Sequence, residues 1–162
     1  YQALAPFPGG ADFEIHQRLR KHILDKGRSD LKDPKSFGSV YYNSGLINAA
    51  IAVEAIRAGQ KKFGNRPLNG DEGRWGLEHL NIDDARLKEI GFGGLMQKLK
   101  LSCSDHEGGG AARVQQWDGA KWNLITDWVQ ADRKTLRPLI DSKSASYAKE
   151  KGIKPRDCAK EV

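Results

Sequence analysis

The dipeptide Asp118-Gly119, with alternating residues on both sides, constrains the fold of this chain most strongly. Asp-Gly between two alternating runs is one of the strongest short signals for a β-hairpin. The two alternating sets are Val114, Gln116, Asn123 and Ile125, and Gln115, Trp117, Trp122 and Leu124. The sequence therefore predicts an antiparallel hairpin over residues 113–125 whose strands join a sheet, with Trp117 and Trp122 on one face.

Helical periodicity dominates the segment before this hairpin. Apolar residues at helical spacing predict a first amphipathic helix over residues 12–26, with Gly27 as its stop. A broader apolar stripe from Leu46 to Ile56 predicts a second, largely buried helix that ends before Gly59. We therefore expect a helical layer beside the hairpin sheet.

Shorter helices are predicted further along the chain. Residues 71–80 and 83–90 have the pattern of two short helices, with Asn81 as a cap between them. After the hairpin, the sequence predicts a final amphipathic helix with Pro138 in its first turn and Gly152 at its end.

Composition indicates a globular domain with an ordinary core. The 162 residues are 38% hydrophobic and 30% charged, which excludes a disordered chain and a membrane protein. The net charge of +6 raises the question of nucleic-acid binding. However, acidic residues alternate with the basic ones, and the densest basic runs, Lys61-Lys62 and Arg133-Lys134, are short. A solvated surface and no nucleic-acid partner are predicted.

The pair Asp105-His106, beside Ser104 and Glu107, has the residue types of a hydrolase or a metal site. Adjacent residues on an extended strand point to opposite faces, no second His follows at ligand spacing, and no GxSxG occurs. The other histidines, His16, His22 and His79, lie on predicted helices, where a solvated or half-buried structural role is expected.

Nucleotide-binding glycine motifs are also missing from the sequence. GFGG at residues 91–94 does not match GxGxxG, and no GxxxxGK[ST] occurs. Together with the preceding motif analysis, this predicts no catalytic residue, no metal and no cofactor.

Three longer motifs follow one another in an order that resembles a known family. YYNSGLINAAIAVEAIRAG (residues 41–59) resembles a Tyr-led helix bordering a ligand cleft. GFGGLMQKLKLSCSDHEGGG (residues 91–110) resembles a strand and a crossing between two lobes, and ARVQQWDGAKWNLI (residues 112–125) resembles a closing hairpin. In this order the chain resembles the C-terminal portion of a type I periplasmic solute-binding protein of the leucine/isoleucine/valine ABC-transporter receptor family.

This resemblance implies an α/β fold that is part of a two-lobed periplasmic-binding-protein architecture, with helices packed on a sheet. Residues 1–110 would form part of the first lobe with hinge strands at both ends. Residues 111–162 would form the closing hairpin and C-terminal helical tail of the second lobe. Pro6, Phe7, Gly108 and Gly109 are the implied hinge residues. Since the opening YQALAPFPGG has the pattern of a buried strand leaving a sheet, we expect an N-terminal part to precede this chain.

The function implied is capture of a small solute without chemistry. The solute would be an amino acid or a related molecule such as an aromatic carboxylate, delivered to an ABC permease in the membrane. The residues expected to contact it are Tyr41, Tyr42, Asn43, Asp105 and His106. For one of the two tyrosines, core packing is the competing interpretation.

The chain has two cysteines, Cys103 and Cys158, which are too far apart in sequence for a CxxC zinc or redox motif. The periplasmic location implied by the resemblance favours a disulfide between them. Two buried free thiols in a cytosolic protein are the alternative.

Two other functions remain open at this stage. One is a small basic nucleic-acid-binding module, which would have a steep salt-dependent affinity. The other is a hydrolase centred on His106, whose turnover His106→Ala would abolish.

Overall fold

The computed structural model describes residues 1–160, which form five α-helices, a four-stranded sheet and a separate two-stranded ladder. The helices are α1 (Glu14–His22), α2 (Val40–Phe63), α3 (Gly70–Glu78), α4 (Asp84–Ile90) and α5 (Arg133–Lys151). The strands are β1 (Gln2–Ala5), β2 (Asn81–Ile82), β3 (Leu99–Lys100), β4 (Ala111–Trp117), β5 (Trp122–Leu124) and β6 (Val129–Gln130). Short 3₁₀ turns span Leu24–Lys26 and Pro34–Ser36.

The predicted hairpin is confirmed. Strands β4 and β5 pair antiparallel, with Trp117 opposite Trp122 and their ring centroids 5.6 Å apart. Strand β1 pairs antiparallel with β4, and β6 continues past β5 to pair with the start of β4. Strands β2 and β3 form a separate two-stranded ladder.

The hydrophobic core lies among the helices. Its buried members are Ile47, Leu80, Ile82, Leu87, Phe92, Leu95 and Met96. Helices α2 and α3 pack so closely that a Cβ added at Gly76 would collide with the backbone carbonyl oxygen of Ala55. Glycine at this position allows the two backbones to approach each other.

Two predictions about α2 are wrong. The helix continues through Gly59 to Phe63, because Gly59 is buried against Leu68 and needs its small size there. The helix is also not largely buried: Val53 and Ile56 are each 48% exposed. Only one face of α2 meets α3 and the core.

The predictions about caps and about α5 also need correction. Asn81 is not a helix cap: it lies in β2 and pairs with Lys100 of β3. The N-terminal caps are Asn69 for α3 and Asp83 for α4. Helix α5 begins at Arg133, which places Pro138 in its second turn. None of its residues is buried, so the predicted amphipathic face is not packed against the described part of the chain. Gly152 ends the helix with φ of 63°, as predicted.

The predicted mixed α/β fold class is confirmed. The division into lobes at residues 110 and 111 stays a prediction. No helix within residues 1–160 is long and apolar enough to cross a membrane.

Candidate functional site

Three segments of backbone run side by side where the sheet meets the helices. Ala5, the last residue of β1, pairs with Arg113, and Ala111, the first residue of β4, pairs with Gln130 of β6. The chain therefore leaves β1, enters β4 and leaves β6 at the same end of the sheet. The predicted hinge residues Pro6, Phe7, Gly108 and Gly109 all lie at this end, which we call the crossing region.

Asn43, in the first turn of α2, ties this helix to residues 6–10, which leave β1 and which we call the first crossing segment. Its side-chain nitrogen donates to the backbone oxygens of Pro8 (2.7 Å), Gly10 (3.0 Å) and Gly38 (3.4 Å). Its side-chain oxygen contacts Nε2 of His16 at 2.7 Å. Asn43 is 0% exposed, so this predicted ligand residue anchors backbone in the structure, and its contact with a solute stays a prediction.

His16 differs from the solvated or half-buried residue expected from the sequence. It is fully buried and lies among the rings of Phe13, Phe37 and Tyr42. Its charged neighbour Arg20 lies over the outer ring, Phe37, with its guanidinium 4.6 Å from the ring centroid. The predicted solvated or half-buried position of His16 is therefore wrong.

The two adjacent tyrosines occupy different environments. Tyr41 is 89% exposed, whereas Tyr42 is half-buried and packs on Phe37 with a centroid distance of 5.1 Å. Burial also raises the pKa of the Tyr42 hydroxyl above its ordinary value. Tyr42 therefore has the contacts of a packing residue, and Tyr41 has a ring free to meet a solute.

Asp105 lies in residues 101–110, the loop between β3 and β4, which we call the second crossing segment. Its side chain connects this loop to the start of α5. Its carboxylate pairs with the guanidinium of Arg133, which also donates to the backbone oxygen of Gly108. Burial opposes ionisation of Asp105, but the backbone N–H of Glu107 and the charge of Arg133 outweigh it and lower its pKa. Arg137 adds a hydrogen bond of 2.8 Å to the backbone oxygen of Ser104.

His106 lies against Glu78 and has a different set of contacts from Asp105. Its Nε2 lies 3.2 Å from Glu78, whose carboxylate accepts two hydrogen bonds from Arg156 at 2.6 and 3.0 Å. The Arg156 guanidinium holds the pKa of the nearly buried Glu78 below its ordinary value. Asp105 and His106 thus serve different contacts. The segment is not the extended strand that was predicted, because Ser102 and Asp105 pair across a tight turn and His106 lies in a bend.

The predicted disulfide is present in the structure. Cys103 and Cys158 are bonded, with their Cα atoms 5.6 Å apart. The bond fastens the segment after α5 to the loop that leads into the crossing region, next to the Glu78 and Arg156 pair.

A groove of about 550 Å³ opens beside the crossing region and includes Asp105, Gly108, Gly109 and Arg133 in its lining. A larger groove of about 780 Å³ lies between α2 and α3 and is lined by none of the predicted site residues. Tyr41, Tyr42 and Asn43 line neither groove. The structure thus places the predicted solute contacts in two groups around the crossing region.

Sequence reasoning missed several residues of this region, above all Glu78, Arg133 and Arg156. Their roles depend on ion pairs with residues 28 or more positions away, for which the sequence carries no local signal. Within residues 1–160, no three His, Cys, Asp or Glu side chains are grouped so as to hold a metal ion.

Two solved structures are similar to this chain in fold. A solved structure described as an ABC transporter permease from the Pseudomonas fluorescens group is 73% identical to this chain over 98% of its length, with a TM-score of 0.94. A second, a branched chain amino acid ABC transporter from Thermus thermophilus with bound valine, matches 83% of the chain at 21% identity and a TM-score of 0.60. This chain has the fold of part of a type I periplasmic binding protein.

The resemblance predicted from the sequence is therefore confirmed. The chain spans 38% of the length of the first structure and 35% of the second. No family model and no curated protein matches it. That the crossing region is the passage between two lobes stays a prediction.

Proposed function

We propose that this chain is part of an extracytoplasmic solute-binding protein of an ABC importer. It captures an amino acid or a related small solute, such as an aromatic carboxylate, and delivers it to a membrane permease. The observation that carries this proposal is the 73% identity, at a TM-score of 0.94, with a structure described as an ABC transporter component. The valine bound to the Thermus thermophilus protein supports the choice of solute class.

The crossing region supports a hinge mechanism. Three backbone segments at one end of a sheet provide a narrow connection about which two bodies can rotate, while each body stays rigid. Gly108 has φ of 71°, a conformation that glycine adopts without strain and other residues rarely do. Closure around a solute then needs only that the closed form binds it more tightly than the open form does.

Tyr41 is the strongest candidate for solute contact among the predicted residues. Its ring is exposed, and it lies two positions before Asn43 in α2, whose side chain is hydrogen-bonded to the first crossing segment at Pro8 and Gly10. An exposed aromatic ring at the border of a cleft can pack on a solute and donate a hydrogen bond from its hydroxyl. Asp105 is a weaker candidate, because Arg133 and Arg137 already occupy its carboxylate.

The test is calorimetry of the complete receptor that contains this chain, with branched-chain amino acids, amides and aromatic acids as solutes. We expect Tyr41→Ala to weaken binding of the preferred solute by about five- to thirtyfold, since loss of one aromatic contact buried on closure costs roughly 1–2 kcal/mol. We expect Tyr42→Ala to lower the melting temperature instead, because its ring packs on Phe37.

Tyr147→Ala is the matched control, because Tyr147 is a 57% exposed tyrosine on α5, outside the crossing region. This variant should retain the affinity of the parent. Equal affinities of Tyr41→Ala and the parent would remove Tyr41 from the site. Chemical conversion of the bound solute by purified receptor would refute the transport proposal as a whole.

Both similar structures are described as transporter components, and neither as an enzyme. This supports a binding role without chemistry. A periplasmic location belongs to the same proposal, and the Cys103–Cys158 disulfide supports it, because such bonds persist in oxidising compartments.

A further inference from the structure

His16 has an environment that distinguishes its two ring nitrogens. The side chain is 0% exposed, and its ring lies 5.2 Å from Phe37 and 5.8 Å from Phe13, measured between centroids. Nε2 contacts Asn43 Oδ1 at 2.7 Å. Nδ1 is buried and, within residues 1–160, has no hydrogen-bond partner.

The hydrogen bonds of Asn43 determine which nitrogen of His16 carries the proton. The Asn43 nitrogen faces the carbonyl oxygens of Pro8, Gly10 and Gly38, which can only accept. The opposite atom, which faces His16, must then be the amide oxygen, also an acceptor only. His16 therefore donates from Nε2, and in its neutral form Nδ1 is a bare lone pair among aromatic rings.

A second proton on His16 has to bind at Nδ1, where it finds no acceptor. The cost of this protonation has two parts, a buried N–H without a partner and a positive charge removed from water. Burial accordingly lowers the pKa of His16, and the positive charge of Arg20 lowers it further. The hydrogen bond to Asn43 and the charge of Asp12 act in the opposite direction. Tyr42 of α2 also packs near the ring, with its centroid 6.2 Å from that of His16.

Loss of the His16 contact affects more than the histidine. Asn43 connects the Pro8 and Gly10 segment to α2, and the Gly10 N–H donates to the Gly38 oxygen at 2.8 Å beside it. We propose that His16 is a pH-dependent positioning residue: when neutral it holds Asn43 and the first crossing segment against α2. When protonated, the charged ring, whose Nδ1–H meets no acceptor within residues 1–160, leaves its buried position and releases them. This proposal concerns the anchor alone and does not depend on which solute the protein binds.

The direction of the pH effect follows from proton linkage. Since the folded form holds His16 neutral below the pKa of an unfolded histidine, about 6.5, the open form binds more protons in this range. The anchor is therefore fully stable above about pH 6.5 and weakens as the pH falls towards the lowered pKa. Uptake of one proton changes the opening equilibrium by at most about tenfold per pH unit.

Hydrogen exchange of the Gly10 amide, corrected for the intrinsic rate at each pH, measures this opening directly. We expect its protection to fall by several-fold per pH unit below about 6.5 in the parent protein. In His16→Gln, the amide NH₂ can replace Nε2 as donor to Asn43 but does not titrate, so the protection of Gly10 should no longer depend on pH in this range.

His22→Gln is the matched control, because His22 is an exposed histidine on the same helix. It should retain the pH dependence of the parent. If His16→Gln retains that dependence too, the proposal is wrong. A variant that fails to fold does not leave the question open, because ¹⁵N chemical shifts of the parent report the tautomer and charge of His16. A proton on Nδ1 at neutral pH, or full protonation of His16 while Gly10 stays protected, would overturn the proposal.

Discussion

At the scale of single residues, Asn43 illustrates how burial assigns a role. From the sequence it was expected to contact a solute, since it follows two tyrosines at the start of a helix. The structure surrounds its amide with three backbone oxygens and a histidine. A buried side-chain amide can form hydrogen bonds with several buried backbone oxygens that would otherwise have no partner.

We expect Asn43→Ala to destabilise the protein by at least about 2 kcal/mol, because each buried polar group left without a partner costs roughly 1–3 kcal/mol. Urea denaturation of the two proteins measures this difference. Asn65→Ala removes an exposed asparagine from a loop and is the control, with an expected change below about 0.5 kcal/mol. Equal stability of Asn43→Ala and the parent would contradict the anchoring role.

At the scale of elements, the close packing of α2 against α3 depends on glycine, which has no side chain, at position 76. Sequence periodicity treats a glycine near a helix end as a stop, which led to the wrong end for α2 at Gly59. In the structure, Gly59 and Gly76 lie at the contact between the two helices. A glycine that ends a helix and a glycine at a contact between helices look the same in the sequence. Only the position of the partner helix distinguishes them.

Gly76→Ala should destabilise the protein by about 1–3 kcal/mol, because its Cβ would collide with the Ala55 carbonyl and force the helices apart. Gly73→Ala lies on the same helix with nothing within 4 Å of its Cβ. That variant should be neutral or stabilise by up to about 1 kcal/mol through helix propensity. Thermal or urea unfolding of both variants tests the pair, and a stabilising Gly76→Ala would disprove the close contact.

At the scale of the whole molecule, the C-terminal segment is attached by polar and covalent contacts. Helix α5 buries none of its residues, and Leu139 and Tyr147 are 61% and 57% exposed. Its start is fastened through Arg133 to Asp105, and the segment after it through Arg156 to Glu78 and through Cys158 to Cys103. The half-exposed Arg133–Asp105 pair contributes little by itself, so the disulfide and the pair of Arg156 with the buried Glu78 are the main constraints on this segment.

We expect reduction of the Cys103–Cys158 disulfide to destabilise the protein by about 4 kcal/mol, since it closes a loop with a sequence separation of 55. A non-reduced digest analysed by mass spectrometry should contain the two peptides linked. The double variant Cys103→Ser, Cys158→Ser is the control, because added reductant should not change its stability. Unlinked peptides from protein produced in an oxidising compartment would contradict this prediction.

Local chemistry in the sequence was enough to predict the hairpin at Asp118-Gly119, the succession of helices and the resemblance to ABC-transporter binding proteins. These features depend on turn residues, short-range periodicity and motif order, which neighbouring residues carry by themselves. Only the tertiary structure decided that Gly59 is a contact and not a stop, that Asn43 and His16 are buried partners, and that Glu78 and Asp105 bind Arg156 and Arg133. Burial and ion pairing arise where distant segments meet, and a one-dimensional pattern does not specify which segments these are.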